Sequence, residues 1–100
     1  MKAKMVIDLI SKSYLMAKSI LKEDELGISK RSSKSLEDYS KIVRKIDNTV
    51  NYLDEKDRFI ILNEVVLGKR GEWYQGMIST PTYYRYRKVA YQNFIRCLNS

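Results

Sequence analysis

Histidine is absent from this chain. Its absence excludes Ser-His-Asp triads, HExxH metal sites and imidazole general bases. Cysteine occurs once, at Cys97, which excludes an internal disulfide and any cysteine-based zinc site. The acidic run Glu23, Asp24, Glu25 therefore has no His or Cys to complete a metal site. No phosphate-binding loop is present: GKRG (68–71) lacks the first glycine and the Lys-Ser/Thr ending of that motif. The expectation is a protein that is not an enzyme and carries neither cofactor nor metal. Proline occurs once and glycine four times in 100 residues, too few breakers for a β-sandwich and too few for disorder. Long apolar runs are also missing. Lys2, Lys4, Asp8, Lys12 and Lys18 interrupt the first 21 residues, so there is no membrane span, and the pattern of a signal peptide is not met. Together with the lone thiol, this predicts a cytoplasmic protein.

What the chain has in excess is positive charge. The net charge is +7, and it is uneven. From Gly68 onward Lys69, Arg70, Arg85, Arg87, Lys88 and Arg96 stand against Glu72 alone, a net +5, which leaves +2 for the first 67 residues. A potential concentrated at one end points to an anionic partner, most often nucleic acid. One hundred residues with 44 % apolar composition support a single small domain with a thin core, to which a homodimer would add.

The spacing of apolar residues predicts an all-α chain. A first helix spans Lys2 to Glu25, with Val6, Leu9, Ile10, Ser13, Ala17, Ile20 and Leu21 as its buried stripe, and ends at Gly27. ISKRSS (28–33) follows as a polar, basic connection, either a hinge or a loop near phosphates. A second helix spans Ser35 to Leu53, with Ser35 as cap and Asp38 three residues on. Its near-heptad seam is Leu36, Tyr39, Ile42 or Val43, Ile46, Val50 and Leu53. The third begins at Asp54, with acids in its first turn, and runs through Phe59, Ile60, Ile61, Leu62, Val65, Val66 and Leu67. Apolar almost all round, it is expected to be the most buried element, with Gly68 closing it. This divides the chain into 1–53, a helical hairpin and possible dimerisation region, and 54–100, the two halves packed as one small domain.

The last stretch, STPTYYRYRKVAYQNFIRCLNS (79–100), opens with a helix start: Ser79 as N-cap and Pro81 in the first turn. Tyr83, Tyr86, Ala90, Phe94 and Cys97 fall on one face and predict the buried side. Thr80, Thr82, Tyr84, Arg85, Arg87, Lys88 and Gln92 fall on the other, with the composition of a helix laid in the DNA major groove. The junction GKRGEWYQGMIS (68–79) predicts a turn of helix over Glu72–Gln75, a bend at Gly76, and Trp73 anchored against the core. Helix, glycine-containing turn and helix is the helix-turn-helix order.

Residues 53–98 resemble the C-terminal domain of ArpU-like and RinA-like phage transcriptional regulators of Gram-positive bacteria, which is itself similar to region 4 of sigma factors. The resemblance rests on LDEKDR, the apolar helix, the glycine-bounded turn, and then Ser79, Thr82, Tyr83, Tyr84, Arg85, Arg87 or Lys88, and Ala90. It implies an abbreviated helix-turn-helix, since only Gly71 to Gly76 is available where the family has a supporting helix. It also implies a reading helix at 79–98, with Tyr83, Tyr86 and Ala90 toward the core and Thr80, Thr82, Tyr84, Arg85 and Lys88 toward double-stranded DNA. Under this reading Arg85 and Lys88 contact bases or phosphates, Ser79 and Thr80 contact phosphates, and Lys69 and Arg70 contact the flanking backbone. The alternative is a helical module that docks on another protein, such as RNA polymerase.

Overall fold

Several helix ends in this chain fall where a side chain or a glycine satisfies the backbone groups the helix leaves open. The computed structural model describes residues 2–28 and 30–100. It has four α-helices: α1 (Ala3–Glu25), α2 (Ser33–Tyr52), α3 (Glu55–Ile61) and α4 (Thr80–Leu98). α3 continues into a π-helical turn over Leu62–Val66, and no strand occurs among the described residues. The fold is all-α with two long N-terminal helices, as the apolar spacing predicts. No helix among the described residues is long and apolar enough to cross a membrane.

α1 closes with paired bonds from Gly27 N–H to Asp24 C=O and from Ile28 N–H to Glu23 C=O, and Gly27 takes φ +76° to make them. Of the 28–33 connection, Ser29 lies outside the described residues. α2 starts earlier than the sequence pattern predicts. Ser32, not Ser35, is the cap, its hydroxyl accepting from Ser35 N–H at 3.1 Å. A serine three residues upstream competes for the same role, and the chain uses the one that adds most of a turn.

The buried line of α1 also differs from the expected one. It is Ile7, Ser11, Tyr14, Ala17 and Ile20, while Leu9 is 53 % exposed and Ser13 lies outside. The helix is rotated to bury two side chains that find polar partners across the core. Tyr14 donates to Asp47 Oδ1 on α2 at 2.7 Å, and Ser11 donates to the carbonyl of Val65 at 2.9 Å. A tyrosine ring buries more apolar surface than a leucine, and its hydroxyl is satisfied, so this rotation wins.

α3 is the most tightly covered helix on one side only. With its π-helical continuation it is the most buried element, as expected: Ile60, Ile61 and Val65 are fully buried and Asp57, Asn63 and Glu64 nearly so, while Leu62 and Leu67 stay exposed. The π-turn closes with Leu67 N–H on Leu62 C=O, and Lys69 N–H returns to Asn63 C=O across Gly68. Gly68 has φ +64°, and a Cβ there would lie 2.8 Å from Leu15 Cδ1, so it both makes the turn and lets the backbone pass close to α1. Arg58 fastens the α2–α3 corner by donating to the carbonyls of Asn51 and Leu53 at 3.1 and 2.6 Å.

No helix forms between Leu67 and Ser79. The predicted turn of helix at Glu72–Gln75 is instead a pair of tight turns, Gln75 N–H to Glu72 C=O and Met77 N–H to Tyr74 C=O. Glycines at 71 and 76 with φ of +67° and +85° bound this short segment on both sides. Tyr74 and Trp73 turn inward from it, and Tyr74 stacks on Tyr83 with ring centroids 3.8 Å apart. One continuous core runs through Ile7, Val50, Leu53, Ile60, Ile61, Ala90 and Phe94, so both halves of the chain share it.

Candidate functional site

α4 places the residues that the sequence singles out. Ser79 caps it as expected, with its Oγ accepting from Thr82 N–H at 3.4 Å and donating to Thr82 Oγ1 at 2.8 Å. Tyr83, Ala90, Tyr91 and Phe94 form its buried line, and Tyr86 and Cys97 flank that line half-buried. Cys97 is a free thiol. Opposite lie Thr80, Tyr84, Arg85, Lys88, Gln92 and Arg96, all exposed. No aspartate or glutamate occurs anywhere in the helix. The outward strip is thus uniformly neutral or cationic along its length.

Behind the strip lies a residue that the apolar pattern of α3 presents as an ordinary interruption. Glu64 is 1 % exposed. Its Oε2 accepts from Trp73 Nε1–H at 2.9 Å and from the hydroxyl of Tyr83, and its Oε1 accepts from the hydroxyl of Tyr91. A buried carboxylate is tolerable only when its lone pairs are filled, and here three donors from the connection and α4 fill them. Burial, and then the bond to Glu64, pushes the phenol of Tyr83 well above the ordinary tyrosine value, and Tyr91 likewise. Both therefore remain donors at any physiological pH. The signal for this burial was present in the sequence: position 64 lies four after Ile60 and three after Ile61, on the same helical face. Asp57 lies on that face too, is buried, and accepts from Asn93 Nδ2 of α4 at 2.7 Å. Two carboxylates thus peg α4 from behind.

Arg87 departs from the outward-facing set. It is half-buried, its guanidinium 5.2 Å from the centroids of both Tyr84 and Tyr91. Burial works against its charge, but Tyr91, Tyr83 and Glu64 outweigh burial and hold its pKa above the ordinary arginine value. Arg85 stays outward and donates to Thr82 Oγ1 at 3.4 Å. Lys69 lies over the ring of Trp73 at 6.0 Å. Arg70 is tied down by the carbonyls of Glu64 and Lys69 at 2.9 and 2.8 Å and by Asp8 at 3.5 Å. Of the sequence-selected residues, Thr80, Tyr84, Arg85 and Lys88 share one open surface. Ser79 and Thr82 are spent on the cap, and Arg87 and Arg70 are structural in part.

Among the described residues no group of three or more carboxylate or thiol side chains is placed to hold a metal ion. No family model, curated protein or solved structure matches the chain.

Proposed function

We propose that this protein is a DNA-binding transcriptional regulator of phage or mobile-element type that lays the outward strip of α4 in the major groove. The observation that carries the reading is the strip itself: a 19-residue helix without a carboxylate, exposed at Thr80, Tyr84, Arg85, Lys88 and Gln92. It is held rigid from behind by Glu64, Asp57 and the aromatic block. A helix of this kind offers hydrogen-bond donors to base edges from its first turns and cations to phosphates beside them. Arg85, exposed and nearly two turns past the cap, is the candidate for a bidentate contact to guanine. Lys88, one turn on, is the candidate for a phosphate. Lys69 flanks them. The resemblance of residues 53–98 to ArpU-like and RinA-like regulators is consistent with this reading. The supporting helix of that family is replaced here by the Trp73–Tyr74 turn, which braces α4 through aromatic contact.

Selection on random duplexes followed by gel shift at increasing salt tests the reading. Binding is expected to weaken steeply with salt, by counterion release. Arg85→Ala is expected to cost about 1–3 kcal/mol on the selected site and less on random DNA. Lys88→Ala is expected to weaken both equally. If a folded Arg85→Ala/Lys88→Ala protein binds as the parent does, α4 is not a reading helix.

A second reading is favoured by one observation. Leu9, Ile10, Ile42, Ile46 and Leu98 line an open apolar groove of about 370 Å³ between α1, α2 and the end of α4. Under this reading the chain docks through its helices on another protein of the transcription machinery, such as RNA polymerase, or on a second copy of itself. Association through such a groove would persist at high salt, which separates it from binding through α4.

A further inference from the structure

The start of α1 lies against the outward side of α4. Between them is a cleft of about 400 Å³ lined by Lys2, Ala3, Lys4, Tyr84, Arg87, Lys88, Tyr91 and Gln92. Four of these side chains are cationic and none is a carboxylate. Two elements far apart in sequence thus contribute to one basic site: Lys2 and Lys4 come from the start of α1, Arg87 and Lys88 from the middle of α4. Nothing in the sequence paired them.

The charges around the cleft are not all available. Lys4 Nζ pairs with Asp8 at 3.1 Å, Asp8 is shared with Arg70, and Arg87 faces Glu64 from the other side. Two carboxylates thus stand behind five cations, and the excess is positive. Neither carboxylate belongs to the cleft lining: Glu64 is buried, and Asp8, partly exposed, is engaged by Lys4 and Arg70. Arg87 is also held in place. Its guanidinium lies near two tyrosine rings, so less side-chain freedom is lost when it engages an anion. Tyr84 and Gln92 supply neutral hydrogen-bonding groups at the margin.

We infer that this cleft seats a backbone phosphate of the DNA strand bordering the groove that α4 enters. The inference rests on the reading of α4 as a DNA-contacting helix, and it adds α1 to the contact surface. Tyr84 and Lys88 belong both to the exposed strip and to the cleft lining, so a duplex seated on the strip runs its backbone along the cleft. A phosphate there is sequence-blind. It fixes register and orientation, and leaves discrimination between bases to Arg85.

The test is the salt dependence of duplex binding by the full chain carrying Lys2→Ala and Lys4→Ala. The salt slope is expected to fall by about one, the share of a single phosphate, and affinity in ~0.1 M salt by roughly tenfold, equally on selected and random duplexes. Lys4 also pairs with Asp8, so Lys2→Glu alone is the companion variant. Lys2 is exposed and at the edge of the fold, and reversal of its charge is expected to lower the slope while circular dichroism stays that of the parent. An unchanged slope in both folded variants, with Lys88→Ala still weakening binding, overturns the cleft and leaves the reading of α4 standing. Loss confined to the selected duplex also overturns it, since a phosphate contact cannot discriminate. Absence of any duplex binding by the parent at low salt overturns both.

Discussion

Removing the carboxylate of Glu64 is the sharpest perturbation this fold offers. Glu64→Ala leaves Trp73 Nε1–H and the hydroxyls of Tyr83 and Tyr91 without their acceptor in a site that is 1 % exposed. Each buried donor stranded in this way costs about 1–3 kcal/mol. The costs overlap, because one admitted water can serve two hydroxyls, while Arg87 loses a neighbouring negative charge. The net is expected to be about 3–5 kcal/mol, the range for breaking a buried charged partnership. A domain of this size has about 5–15 kcal/mol in total, so the variant is expected to be near the edge of folding. Urea denaturation followed by far-UV circular dichroism measures it. With a slope of about 1–2 kcal/mol per molar, the midpoint is expected to drop by about 2 M or more. Near-UV dichroism of Trp73 is expected to collapse in step, because its ring packs against Tyr74 and Tyr83. A loss below about 1 kcal/mol with the aromatic signal intact would refute the argument that Glu64 pins α4. A double-mutant cycle of Glu64→Ala with Tyr91→Phe measures the coupling of the pair, and a coupling near zero would count equally against that argument.

Phe94→Ala, at a fully buried position, is expected to cost about 3–5 kcal/mol in the same assay, while Leu62→Ala, 40 % exposed, is expected to cost less than about 1. Equal losses would mean that the assigned face of α3 is wrong. Gly68→Ala is expected to destabilise by about 1–3 kcal/mol. Left-handed backbone penalises a Cβ, and that Cβ would press on Leu15; pairing the change with Leu15→Ala is expected to recover only the contact part. Stability is expected to fall in alkali. Burial and the bond to Asp47 raise the Tyr14 phenol to about 12, so the folded state keeps a proton that the unfolded chain gives up near its ordinary value of 10. The contribution is whole below about pH 10 and is lost as pH climbs toward 12. Tyr14→Phe is expected to flatten that decline, and an unchanged alkaline profile counts against the Tyr14–Asp47 bond.

Local chemistry alone determined much of this protein. Caps, glycines and apolar spacing act within a few residues, and so the all-α class, the ends of α1 and α4, Gly68 as the stop of the third helix and the alternation of Tyr83, Ala90 and Phe94 were legible before any tertiary contact was known. The outward strip at Thr80, Tyr84, Arg85 and Lys88 followed from the same spacing, because a helix that buries one face must expose the other. Tertiary structure decided everything that depends on a distant partner. Ser11 and Tyr14 displaced Leu9 from the α1 interface because Val65 and Asp47 were there to satisfy them. Glu64 went inside because three donors from elsewhere in the chain converge on it, where a solitary carboxylate would have turned to solvent. Arg87 was drawn half inside by two tyrosines and that same carboxylate, while Arg85, two residues earlier, stayed out. Lys2 and Lys4 joined Arg87 and Lys88 across more than 80 residues of chain only because α1 packs back along α4. Hydrophobic period is a property of a segment. The desolvation of a charge is a property of its surroundings, and those exist only once the segments meet.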